Sequence, residues 1–237
     1  MSERSSPAAS RRITPVELTP ADVVVEPITG KRGTLIAVFG SRPDVGVTTL
    51  AEALSLAFHS ALGDVALAEL DPRVDRVHPH DPLSVGIEIP GADSAMVRRI
   101  DGVWTFAMTR PLAPAVGDAK AVTVALDAMR ARFSMSVAEL EHHMNERTLA
   151  AFDAADRIVL LVDGSVASLR STKRVLQLCR RLRYPDEKLC VVWNRFDAPG
   201  SMLAADVSAA LGREIYWKLP ASDRVDGTPL AAKLLEH

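Results

Sequence analysis

The residues that could do chemistry concentrate in one stretch, Val38 to Leu54, which reads VFGSRPDVGVTTLAEAL. Ahead of it, Thr34 to Phe39 form an apolar run expected to be a buried strand. A glycine-containing turn follows, and Thr48-Thr49 are expected to open an amphipathic helix. Strand, glycine turn and hydroxyl-led helix together outline a phosphate-binding loop, G-x-x-x-x-G-K-[ST]. In such a loop, backbone N–H groups and the positive end of the helix cradle phosphate. The lysine of the pattern neutralises the β- and γ-phosphates, and the Ser/Thr hydroxyl holds Mg2+. Here the lysine position is Val47, which carries no charge.

The rest of the chain must position this loop. Strands are expected at 34–39, 64–69, 103–108, 134–140, 157–163, 188–193 and 214–218. Helices are expected at 48–62, 118–132, 144–154, 166–183 and 203–211, with a short final one from Pro229. Alternation of this kind predicts an α/β fold: three layers, with a mostly parallel central sheet flanked by helices. Strand 134–140 is weak, because Ser134, Ser136 and Ala138 make a poor buried strand. Residues 72–92 are Pro-rich and read as loop or short helix. Trp193 and Trp217 lie in expected strands and are assigned to the core; Trp104 has no clear assignment.

The 237 residues suffice for one sizeable domain, read as 33–234. Residues 1–32, rich in Ser, Pro, Ala and Arg, read as a flexible lead-in, and 235–237 as the start of a vector-encoded tag. The net charge of −2 provides no global field for nucleic acid. Two cysteines, Cys179 and Cys190, sit in apolar segments and read as buried free thiols of a reducing compartment. No apolar run reaches a membrane span's roughly 18 residues, so a cytoplasmic protein is expected. His142-His143 lack a third ligand, and adjacent side chains point apart, so they do not make a metal site.

The order of elements and five local motifs resemble the MinD/ParA family of deviant P-loop ATPases, and within it the CpaE/TadZ branch associated with pilus assembly and polar placement. The family's loop, K-G-G-x-G-K-[ST], aligns with Arg42-Pro43-Asp44-Val45-Gly46-Val47-Thr48, followed by Thr49. Arg42 keeps the charge of the lysine that reaches a dimer partner's nucleotide. Val47 replaces the second lysine, while Pro43 and Asp44 replace glycines. Pro removes a donor N–H and Asp turns negative charge toward phosphate. Glu69-Leu70-Asp71-Pro72-Arg73 matches the D-x-D-P-Q that follows the second strand, and Glu139 falls at the Walker B acid. The resemblance implies catalytic roles for Glu69, Asp71 and Glu139, and Mg2+ contacts for Thr48, Asp71 and Glu139. It also implies an adenine pocket from Asn194 and Arg195 after one strand and from Pro220 to Asp223 after another. The same residues could equally be strand ends with turn-forming Asx residues.

ATP or ADP with Mg2+ is thus the implied ligand, weakened by three substitutions that all act against triphosphate. The expected function is a non-catalytic localisation or assembly scaffold for a pilus, secretion or polar-positioning system. It would be homodimeric and recruited by protein partners to a pole or to the inner membrane face. Two alternatives stand beside it. One is an ATP-dependent dimerisation switch in which Arg42 supplies the missing cation. The other is a DNA-associated positioning factor working through Arg170, Lys173, Arg174, Arg180, Arg181 and Arg183 on helix 166–183.

Overall fold

A computed structural model of the chain describes residues 32–71, 85–87, 95–108 and 119–236. The expected lead-in 1–32, apart from Arg32, lies outside the described residues, as do Pro72-Arg73 and His237.

Among the described residues, nine strands make one sheet: β1 (Thr34–Gly40), β2 (Val65–Glu69), β3 (Val85–Ile87), β4 (Ala95–Ile100), β5 (Val103–Met108), β6 (Met135–Glu139), β7 (Arg157–Val162), β8 (Leu189–Asn194) and β9 (Trp217–Leu219). Their spatial order is β3-β4-β5-β2-β6-β1-β7-β8-β9. Every pair from β5 to β9 is parallel, and only the β3–β4 and β4–β5 pairs are antiparallel. Six α-helices complete the described chain: α1 (Val47–Leu62), α2 (Ala119–Arg132), α3 (Glu146–Ala154), α4 (Val166–Arg181), α5 (Ala204–Leu211) and α6 (Thr228–Leu235). The expected three-layer α/β architecture is the observed one.

Alternation along the strands divides the core in two. Ile36 and Val38 of β1 point toward α1 and α6, packing with Leu50, Leu54, Phe58 and Leu230. Leu35, Ala37 and Phe39 point the other way, toward α2 to α5, into a cluster with Leu126, Phe152, Leu176 and Val207. A strand covered on both faces by helices needs an apolar residue at every position, which is why β1, β7 and β8 were readable as continuous runs. The start of β1 is pinned by Arg130, which is buried. Its Nε donates to the Gly33 carbonyl (2.8 Å), and its guanidinium pairs with Asp156, which in turn accepts from the Leu35 N–H (2.7 Å).

One expectation is met more firmly than its sequence suggested, and two are corrected. Strand 134–140, expected but read as weak, is observed at the centre of the sheet: β6 is fully buried and pairs with β2 on one side and β1 on the other. Two complete ladders hold Ser136 and Ala138 in place whatever their β-propensity. Residues 72–92 contain strand β3, and an unexpected strand, β4, pairs with β5 as a hairpin. Its turn is Asp101-Gly102, with φ of 48° and 89°. Two successive left-handed residues match the twist of a hairpin, and Asp-Gly was a signal for it. Trp217, assigned to the core, is only partly buried: it packs against the core margin from the short edge strand β9, with the Lys233 ammonium 5.3 Å above its ring. Trp193 is buried as expected, and Trp104 joins it in the core at 6% exposure.

Cys179 faces the sheet from α4, and burial pushes its thiol from 9.0 up to about 11, against partial opposition from Arg213 and Lys188. Burial shifts Cys190, Tyr184 and Tyr216 in the same direction. The folded Cys179 thiol holds its proton where the unfolded one has lost it. Its contribution to stability is therefore complete below pH 9.0 and is lost as the pH rises through about 11. Urea unfolding at a series of alkaline pH values should show stability falling across that window. Cys179→Ala should flatten the decline.

Candidate functional site

The loop Ser41–Gly46 joins the end of β1 to the start of α1, at the carboxyl edge of the sheet. Helix α1 begins at Val47 behind Gly46, and no side chain caps it. Thr48 and Thr49, expected to open the helix, sit one and two residues inside it. Gly46 has φ 98°, and a Cβ there would lie 2.7 Å from the Asn194 amide nitrogen. Both conformation and space therefore demand glycine at 46. Asp44 has φ 61°. It takes the left-handed conformation that a glycine would supply, a conformation Asp tolerates better than most residues.

The loop is held by the protein at three points. The Asn194 Nδ2, at the last position of β8, donates to the buried Val45 carbonyl at 2.9 Å across 149 residues of sequence. The Thr48 hydroxyl donates to Glu139 at the end of β6. The Ser41 and Thr172 hydroxyls share a 2.9 Å hydrogen bond that ties the loop's entry to α4. Val45 is itself 1% exposed, packed among the residues of α1 and β1.

The three expected acids are brought together. Glu69 and Glu139 are register partners at the ends of the adjacent parallel strands β2 and β6, so their side chains emerge on the same face, toward α1. They are 3% and 1% exposed, and Asp71 two residues on is buried as well. A cavity of about 470 Å³ lies over this edge. Arg42, Pro43, Asp44, Gly46, Val47, Thr48 and Thr49 line it from the loop, and Asp71 and Glu139 from the sheet. Arg195, in a left-handed conformation with φ 55°, lines it from beyond β8. Leu140 and His142 also contribute to the wall, a role the sequence did not signal; the His142 and His143 rings sit 3.9 Å apart.

Pro220 and Asp223 are exposed in the turn after β9 and are not among the residues that line this cavity. That turn is tied to the loop after β8, the Ala221 N–H donating to Asp197 at 2.6 Å. Of the four residues assigned to an adenine pocket, only Arg195 lines the cavity, and the amide nitrogen of Asn194 is spent on the loop.

Geometry at this level can be set beside known proteins. No protein-family profile matches the sequence. Two uncharacterised proteins of Mycobacterium tuberculosis are 27% identical over 86% of this chain, and the chain spans 58% of the length of these curated relatives. Among solved structures, MinD of Aquifex aeolicus superposes with a TM-score of 0.63 at 17% identity, covering 86% of this chain and 98% of that one. MinD of Pyrococcus horikoshii, solved with Mg-ADP, gives 0.64 at 13% identity over 86% and 95%. A ParA-family ATPase of Chlorobium tepidum gives 0.64 at 13% over 82% and 86%. The fold is that of the MinD/ParA P-loop ATPases.

The residues present at the loop do not fit the Mg-nucleotide that this fold implies. Where the loop lysine would place an ammonium, Val47 places two methyl groups, half-buried in the cavity wall. Pro43 has no N–H to offer, and Asp44 adds an exposed carboxylate to a cavity already lined by Asp71 and Glu139. The Thr48 hydroxyl donates to Glu139, which leaves its oxygen lone pairs open to a cation.

Asn194→Ala would leave the buried Val45 carbonyl without its partner. A loss of about 1–2 kcal/mol is expected in urea unfolding. Faster hydrogen exchange should be confined to the amides of the loop and the first turn of α1. Unchanged exchange there would mean that Asn194 does not hold the loop.

Proposed function

We propose that this chain is a non-catalytic localisation or assembly scaffold, a MinD/ParA-like domain whose phosphate loop no longer serves phosphoryl transfer. Its setting would be a pilus, secretion or polar-positioning system, and it would work as a homodimer that binds protein partners. The observation that carries the reading is Val47, at the first position of α1 and in the cavity wall. Phosphoryl transfer depends on positioning and on neutralising developing charge. Replacing the cation by a valine and adding Asp44 removes several kcal/mol of transition-state stabilisation, at about 1.4 kcal/mol per tenfold in rate. The loop nevertheless keeps its shape, because Asn194, Glu139 and Thr172 hold it. A loop retained in form but stripped of its cation supports a structural role.

A second reading, an ATP-dependent dimerisation switch, is favoured by one observation: Arg42 and Arg195 both line the cavity and bring guanidinium groups to it. Phosphate release and light scattering separate the two. The scaffold reading expects no ATP turnover above background and a particle mass unaffected by ATP with Mg2+. Turnover, or an ATP-dependent doubling of mass that Arg42→Ala abolishes, would establish the switch instead.

A further inference from the structure

Helix α4 has two unlike faces. Leu169, Val175, Leu176 and Cys179 are buried in the core beneath it. Its outer face carries Arg170, Lys173, Arg174, Arg180 and Arg181, all exposed. At 3.6 residues per turn these five fall within one stripe about 120° wide and about 17 Å long. The helix contains no acidic residue. Among the described residues, no ion pair or side-chain hydrogen bond engages any of the five.

Helix stability does not account for the stripe. Arg180 and Arg181 in the last turn complement the helix dipole, but that benefit fades within a turn and does not reach Arg170, Lys173 or Arg174. Arg170 and Arg174 stand four apart, a like-charge spacing that costs the helix a few tenths of a kcal/mol. In a chain whose net charge is −2, the concentration of cations on this one face is local.

The borders of the stripe restrict what could bind it. Exposed Asp206 lies on α5, which packs against α4. Exposed Asp153 lies on α3, next to the end of α4, where it accepts a 2.5 Å hydrogen bond from Tyr184. Asp186 and Glu187 follow just beyond the last turn. A broad polyanion such as a nucleic-acid duplex or a lipid surface would meet these carboxylates while reaching for the arginines. An acidic segment about as wide as a helix, roughly 10 Å, covers less of the surface beyond α4 and so meets fewer of them. Arginine's forked donors also match carboxylates in pairs. Val166, 64% exposed at the start of the same stripe, adds an apolar contact at one end.

We infer that the outer face of α4 is a docking surface for an acidic segment of a protein partner. The inference rests on the scaffold reading, for which it names the chemistry of the partner. The test uses fluorescence anisotropy with a labelled polyglutamate peptide of about 15 residues, long enough to cover the stripe. A random-sequence DNA duplex and phosphatidylserine vesicles are run at equal concentrations of anionic groups. The chain should bind the peptide at low salt, and more tightly than either of the others. The double variant Arg174→Glu/Arg181→Glu should weaken peptide binding about tenfold with an unchanged melting temperature. The double variant Lys218→Glu/Arg224→Glu, an equal charge change at exposed sites off the stripe, should leave it intact. Undiminished peptide binding by the double variant would overturn the proposal, as would stripe-dependent preference for duplex or vesicles. No nucleotide is present, so failure here removes the docking surface, whereas ATP turnover alone removes the scaffold reading.

Discussion

The fold depends on a sharp reversal at the centre of its sheet. β1, flanked by β6 and β7, must give way within a few residues to a helix that packs back on the same sheet. The chain makes that turn through a buried Val45, a left-handed Gly46 and the hydrogen bond from Asn194 to the Val45 carbonyl. In a phosphate-binding loop, an anion can satisfy the converging N–H groups and help fix the backbone. Here the fixing is done by side chains from three other elements: β8, the end of β6 and α4. A loop held in this way keeps its geometry without a ligand. Its residues are then free to lose the groups that only a ligand would need.

That freedom accounts for where this sequence departs from its pattern. Gly46 is retained, and no other residue would fit against Asn194 at φ 98°. Asp44 can replace a glycine because it tolerates the left-handed region at 61°. Val47 can replace lysine because nothing in the packing of α1 requires a charge there. On the proposed reading, the residues that match the pattern are those that shape the loop, and those that depart from it are ones that would meet triphosphate.

Much of the architecture was legible because strands buried on both faces read as unbroken apolar runs, as in 34–39 and 157–163. β6 was expected as a strand but read as weak, since Ser136 and Ala138 interrupt its apolar run; its place between two ladders is what buries it. β4 carries Arg98 and Arg99 and has no helix-to-strand rhythm, so only the Asp101-Gly102 turn announced it. The site was legible in parts. Loop and acids were found from local spacing and converge as expected. The use made of Asn194 and the separation of Pro220 and Asp223 from the cavity are contacts between distant segments, set by the order of β8 and β9, which no local pattern encodes.

On the proposed reading, the loop keeps its shape and does not take Mg-ATP. Calorimetric titration of the purified chain with ATP in the presence of Mg2+ addresses it most directly. The account predicts no saturable heat up to about 1 mM nucleotide, corresponding to a binding free energy weaker than about −4 kcal/mol. A saturable isotherm with a Kd near 1 μM, about −8 kcal/mol, would contradict it.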